Sequence, residues 1–225
     1  MSKLVVVLSG GLDSTTLLYD VCRFNETYAI SFSYGQRHKV KELDAAKVTC
    51  AKLGIPHKIV YLDSLREVLG GSALTDDNIV VPEGHYEEES MKLTVVPNRN
   101  MILLSVAIGY AVSIKANEVA YAAHGGDHSV YPDCRPEFVD GMNIVARLCD
   151  WHKVKVNAPY IRFNKGDIVK IGKQLSVDYS HTWTCYKGEE VPCGKCGACN
   201  ERAEAFKDAG MEDPLLKGVI NEERS

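Results

Sequence analysis

At 225 residues and a net charge of −4, with Lys+Arg 26 against Asp+Glu 30, the chain has the length of one large domain or of a domain plus a small appendage, and its mildly acidic balance argues against a large RNA or DNA substrate while leaving room for a local basic patch. Hydrophobic residues at 45% and charged residues at 25% are ordinary for a globular protein with a core of its own. The longest apolar stretch, Met101–Ile114, is interrupted by Ser105, Gly109, Tyr110 and Ser113 and is too short to span a bilayer, so no membrane partner and a cytoplasmic address are expected.

Leu4–Leu8 (LVVVL) is a continuous apolar, β-branched run that predicts a buried parallel strand, and is too short for a signal segment. A helical segment follows the turn Ser9–Ser14 through about Asn25, then a strand over Tyr28–Phe32 and a helix over Lys41–Leu53 that stops at Gly54-Ile55-Pro56. His57–Leu62 predicts a third strand, Asn100–Ala116 a long apolar helix, Val119–Ala122 a fourth strand, and Pro136–Leu148 a helix with proline in its first turn. Strands alternating with helices indicate a doubly wound parallel α/β sheet. Two stretches break the rhythm. Gly70–Thr94, polar and acidic at Glu87-Glu88-Glu89, is expected to be a flexible lid, and Thr182–Cys199 is a cysteine-rich loop. Residues 1–180 are expected to form the α/β domain and 181–225 a small metal-binding region ending in the polar tail Gly218–Ser225.

Ser9-Gly10-Gly11-Leu12-Asp13-Ser14 lies between the first strand and helix, where open parallel sheets bind ligands. Two glycines let the backbone approach an anion, the helix start offers unpaired N–H groups, and Ser9, Ser14 and Thr15 add hydroxyls. Asp13 suits this place as a Mg²⁺ ligand or as a helix cap; a plain capped turn has the same local signature. Neither G-x-x-x-x-G-K-[ST] nor G-x-G-x-x-G is present. Cys22, Cys50, Cys134 and Cys149 are scattered and read as buried small hydrophobes. Cys185, Cys193, Cys196 and Cys199 crowd together at spacings that tight turns at Gly194 and Gly197 can fold around one ion. Four thiolates favour a closed, structural Zn²⁺ site, one per chain, with an iron–sulfur cluster as the alternative. His124 and His128 flank the glycines of HGGDH and read as hydrogen-bonding loop residues.

SGGLDS directly after an apolar strand resembles the phosphate loop of the PP-loop (N-type ATP pyrophosphatase) superfamily, whose fold is adenine nucleotide alpha hydrolase-like. Longer blocks resemble one family within it, the 7-cyano-7-deazaguanine synthases of queuosine biosynthesis. They are Leu8–Leu18 (LSGGLDSTTLL), Ser33–His38 (SYGQRH), Val96–Asn100 (VPNRN), Gly126–Phe138 (GDHSVYPDCRPEF) and Cys185–Cys199. Asn98 stands where many relatives have glycine, and asparagine tolerates the left-handed turn. The gap between the first two cysteines is shorter than is common in the family.

The resemblance implies an ATP site at Leu8, Ser9, Gly10, Gly11, Leu12, Asp13, Ser14, Thr15, Thr16, Leu17 and Leu18. It implies catalytic roles for Asp13 and for Lys165, the latter in a string, Asn164–Val169, whose lysine reaches ATP phosphates in this superfamily. Substrate-binding residues are expected at Tyr34, Gln36, Arg37, His38, Arg99, Asn100, Asp127, Tyr131, Asp133 and Arg135. Their chemistry suits a purine-like carboxylate. Arg37, Arg99 and Arg135 offer forked donors, Asp127 and Asp133 accept from a guanine-like edge, and Tyr34, His38 and Tyr131 offer stacking surfaces. The implied enzyme is a ligase that uses Mg²⁺ with ATP to convert 7-carboxy-7-deazaguanine and free ammonia to the nitrile, as a homodimer. An enzyme stopping at the amide, a tRNA-thiolating relative and a zinc-bearing nucleotide sensor are the competing readings.

Overall fold

The computed structural model describes residues 2–85 and 89–216. Glu87 and Glu88 of the expected lid, and the tail Gly218–Ser225, lie outside the described residues. Five parallel strands form one sheet in the order β3-β2-β1-β4-β5, with β1 at Lys3–Val7, β2 at Glu26–Ser33, β3 at His57–Tyr61, β4 at Glu118–Ala120 and β5 at Lys155–Asn157. The helices among the described residues are α1 (Leu12–Val21), α2 (Lys39–Leu53), α3 (Arg99–Ser113), α4 (Pro136–Leu148), α5 (Lys165–Gln174) and α6 (Gly197–Asp208). Chain order reverses between β1 and β4, so the crevice outside their carboxyl ends is where this topology holds a ligand.

β1 shows why both faces are covered. Val5 enters one apolar cluster with Ile30, Phe32, Leu104 and Ile108, while Leu4, Val6 and Leu8 enter another with Leu17, Leu18, Ala46, Ile168 and Phe206. Successive strand residues point to opposite faces, and here each face meets helices, which is why the run is apolar without alternation. α3 and α4 cover one side; α1, α2, α5 and α6 cover the other.

Element boundaries depart from expectation where tertiary contacts intervene. α1 stops at Val21, and Cys22 caps it. α2 starts two residues before the expected Lys41, at Lys39, and ends as predicted at Gly54, left-handed at φ 65°. β5 and α6 were not anticipated: β5 is a three-residue edge strand, and α6 begins inside the cysteine run. Asn98 adopts φ 58°, the left-handed geometry expected of it. Gly70–Thr94 is not a loose lid in its described part. Ser72, Ala73, Leu74, Thr75, Met91 and Thr94 are buried, and Ala73 N donates to the Leu93 carbonyl. Its apolar residues follow no period, so a polar average hid them. Of the scattered cysteines, Cys50 and Cys134 are buried, but Cys22 is only half-buried and Cys149 is exposed; both close helices at their last turn, which faces outward.

Candidate active site

The β1–α1 turn is shaped by close packing. Gly10 has φ +83°, and a Cβ there would collide with the Glu42 carbonyl of α2, so glycine is required. Gly11 is the N-cap of α1 without a side-chain cap, which sets aside the helix-cap role for Asp13. Ser9 N donates to Ser14 Oγ at 3.2 Å, and the two hydroxyls lie 2.9 Å apart. Ser9, Gly11, Leu12, Asp13 and Ser14 line a cavity whose wall continues through Leu8. Thr15, Thr16, Leu17 and Leu18 point into the interior instead. Thr16 Oγ1 donates to the Leu12 carbonyl at 2.8 Å and meets Tyr179 Oη at 2.7 Å.

Lys165 enters the same cavity from the first turn of α5. The Asn164 side chain accepts from Asp167 N, and Asp167 answers on Asn164 N, a capping box that fixes the helix start. Lys165 Nζ lies 3.3 Å from Asp13 Oδ2 and 2.5 Å from Glu201 Oε2. Burial works against its charge, but Asp13, Glu201 and Asp127 outweigh it and hold the ammonium well above its ordinary range. Burial pushes the Glu201 carboxyl up, against the attraction of Lys165. His124 Nδ1 accepts from Gly126 N at 3.2 Å, and its Nε2 is 3.5 Å from Asp127, the loop role expected of it. His128 Nε2 is buried with no hydrogen-bond partner.

The far wall converges from separate segments. Tyr34, Gln36, His38, Arg99, Asn100 and Tyr131 all line it, joined by Glu42, Tyr121, Cys134 and Tyr186, while Asp127 and Trp183 line the cavity beside the anion-binding turn. Gln36 accepts from Tyr34 N at 2.8 Å and donates to Glu42 Oε2 at 3.0 Å, while His38 Nε2 is 3.5 Å from Glu42 Oε1. Burial alone would raise the Glu42 carboxyl, but His38, Gln36 and Arg99 hold it below the ordinary carboxylate range. The Arg99 guanidinium lies 6.0 Å from the Tyr34 ring and 5.9 Å from the Tyr131 ring. Burial pushes the Tyr34 phenol up to about 12.

Three expected substrate residues lie outside the cavity lining. Arg37 Nη2 donates to the carbonyls of Asp76 and Ile79, at 2.5 and 2.7 Å, and so ties down the 70–85 segment. Asp133 Oδ2 accepts from Asn100 N at 3.1 Å, at the start of α3. Arg135 Nε donates to the His128 carbonyl at 2.9 Å. Glu42 and Glu201 were missed. Glu42 stands four residues after His38 on one helix face, a signal that was available. Glu201 meets Lys165 only through the packing of α5 on α6, and no local pattern announces it.

Cys185, Cys193, Cys196 and Cys199 bring their sulfurs within 4.8 Å of one another, and Cys193 Sγ and Cys199 Sγ are 4.0 Å apart. A tetrahedral ion with Zn–S near ~2.3 Å needs sulfurs roughly 3.8 Å apart, so the donor set fits. Cys193 N and Cys196 N point at the sulfurs of Cys185 and Cys193, each at 3.4 Å. Hydrogen bonds from Cys196 and Cys199 pull the Cys185 thiol down, while those with Cys185 and Cys196 push the Cys199 thiol up. A bound cation would hold all four as thiolates. Gly194 takes φ +67° to make the turn between ligands.

A family described as "Queuosine biosynthesis protein QueC" matches residues 3–210. The 7-cyano-7-deazaguanine synthase of Alteromonas mediterranea is 59% identical over 214 residues, 95% of this chain and 97% of that one. The enzyme of the same name from Methanoregula boonei is 58% identical over 95% of this chain and 98% of its own. Among solved structures, one titled "predicted subunit of tRNA methyltransferase" from Methanocaldococcus jannaschii superposes with a TM-score of 0.50 at 15% identity, covering 95% of this chain and 90% of that one. At that identity the likeness is one of fold.

Proposed function

The chain belongs to the queuosine biosynthesis protein QueC family, and from that premise we propose that it is an ATP-dependent ligase making 7-cyano-7-deazaguanine from 7-carboxy-7-deazaguanine and ammonia. One observation carries the reading. A single cavity joins an anion-binding turn and a buried lysine at one end to a wall of tyrosines, a carboxylate and Arg99 at the other. That is the layout needed to bring a planar carboxylate to the α-phosphorus of ATP.

The substrate carboxylate attacks the α-phosphorus and expels pyrophosphate, leaving an acyl adenylate. The free N–H groups at the start of α1, the hydroxyls of Ser9 and Ser14, and the Lys165 ammonium stabilise the charge on the leaving group. Mg²⁺ accompanying ATP adds electrostatic stabilisation of the same kind. Ammonia displaces AMP to give the amide. A second adenylation turns the amide oxygen into a leaving group, and loss of AMP yields the nitrile. Arg99 and Glu42 orient the purine-like ring, and Tyr34 and Tyr131 stack near it. The four cysteines hold one zinc in a closed, structural site. A homodimer is supported by the apolar surface at the end of α4, where Ile144, Val145 and Leu148 are exposed and Trp151 is 98% exposed.

Mass spectrometry of products from the acid, ammonium and Mg·ATP tests the reading. The expected result is two AMP per nitrile, with the amide transient under limiting ATP and convertible to nitrile by one ATP without ammonia. Amide alone at one AMP each, with ATP in excess, overturns the nitrile step.

A further inference from the structure

A lysine that serves a polyanion gains nothing electrostatically from a second carboxylate beside it, yet Lys165 has two. Asp13 belongs to the anion-binding turn. Glu201 comes from α6, and its charge repels the pyrophosphate that Lys165 must attract. What Glu201 can supply is geometry, because the flexible four-carbon lysine stem must give up its rotamer freedom to be held in one place.

α6 is unusually well tied for that task. Cys196 is its N-cap and Cys199 lies in its first turn, so two of the four clustered sulfurs fix its start. One residue beyond Glu201, the buried Arg202 donates to Thr182 Oγ1 at 2.9 Å, Thr184 Oγ1 at 3.1 Å and the Tyr179 carbonyl at 3.2 Å. It is braced from behind by Asp213 at 2.6 Å. Between those threonines, Trp183 N donates to the Gly10 carbonyl of the anion-binding turn at 3.0 Å, and the next residue but one is Cys185. A single helix, pinned at the cysteine cluster, therefore grips both Lys165 and the segment bonded to Gly10.

We propose that Glu201 is the positioning residue for Lys165, and that the four-cysteine centre, by fixing the start of α6, sets where that lysine stands over the anion-binding turn. The inference rests on the ligase reading for what Lys165 does, but not for where it is held. A misplacement of ~1 Å costs on the order of 100-fold in rate, so Glu201→Ala in the metal-loaded full chain should lower kcat about 100-fold while KM for ATP moves less than about threefold. Metal content should be unchanged. Glu201→Gln, whose side-chain oxygen still accepts from Nζ, should recover most of the loss. Glu201→Asp, which withdraws the carboxylate by one methylene, should behave like the alanine variant and replaces it if that variant fails to fold.

A second readout needs no substrate. Acylation of Lys165 by an amine-reactive ester, followed by peptide mass spectrometry, should be faster in Glu201→Ala and in wild type stripped of metal than in loaded wild type, with Glu201→Gln slower than Glu201→Ala. Wild-type kcat in Glu201→Ala, or equal Lys165 labelling in loaded wild type, stripped wild type and Glu201→Ala, overturns the proposal. If wild type forms no AMP with the acid, the ligase reading fails, and the labelling comparison alone decides whether Glu201 holds Lys165.

Discussion

The two ends of the cavity are built by opposite means. The anion end rests mainly on one contiguous turn, Ser9–Ser14, whose donors are backbone amides at the start of α1 and two neighbouring hydroxyls, with Lys165 the one group added from a distant element, α5. The other end collects Tyr34 and Gln36 from the turn after β2, His38 and Glu42 from the N-cap and first turn of α2, Arg99 and Asn100 from α3, Tyr131 and Cys134 from the crossover after β4, and Tyr186 from beside the cysteine cluster. A contiguous turn carries its chemistry in local backbone geometry. A convergent wall depends on how distant segments are held, so changes far from it reach it.

The sharpest break is at the anion end. Ser9→Ala or Lys165→Ala should slow pyrophosphate release by ~10²–10³-fold, the scale of losing a donor aimed at developing charge, and Asp13→Ala should remove it too, because Asp13 Oδ2 lies 3.3 Å from Lys165 Nζ. Circular dichroism should stay native, because Lys165 and Asp13 neighbour the cavity and not the apolar clusters. Wild-type turnover by a folded Asp13→Ala chain would contradict the local-turn account. Next in size is the cysteine centre. Cys193→Ser should abolish metal retention and lower Tm by on the order of 10 °C, the equivalent of a few kcal/mol in a chain of this length. Full metal content in a Cys193→Ser, Cys196→Ser double variant would show the ligands to be elsewhere.

The arginines sharpen the contrast between wall and support. Arg99→Ala should raise KM for the acid by about 10–100-fold, as expected when a charged hydrogen-bonding partner is lost. Arg37→Ala should leave that KM nearly unchanged and cost roughly 1.5–3 kcal/mol in urea unfolding, because its guanidinium bonds carbonyls of the 70–85 segment. Equal KM effects from both would erase the distinction.

The smallest effect concerns pH. The folded-state pKa of Glu42 lies below its ordinary value, so the unfolded chain takes up its proton first as pH falls. Its contribution to stability is therefore present above the unfolded carboxylate range, near pH ~4.3, and lost as pH drops through the folded pKa. Glu42→Gln should flatten the acid limb of the stability profile, read by urea midpoints across that window, while barely changing the slope near pH 7.

The legible parts were those in which neighbours in sequence are neighbours in space. LVVVL followed by SGGLDS specifies a buried strand, a glycine turn and a helix start, since each constraint acts within a few residues. The cysteine spacing and the Gly54 stop are local in the same sense. Gly10 marks the limit of that reading: its permissive φ was visible, but the α2 backbone that excludes a Cβ came only with the fold. Arg37, Asp133 and Arg135 share polar strings with Tyr34, Asn100 and Tyr131, and composition alone could not tell a wall residue from its support. In a bend, successive side chains leave in different directions, and each direction is set by what packs behind it. For the same reason the sequence determined that four thiols and a lysine were present, whereas only the packing of α5 on α6 decided that Glu201 joins them. A contact between helices depends on their docking, and no short-range pattern records it.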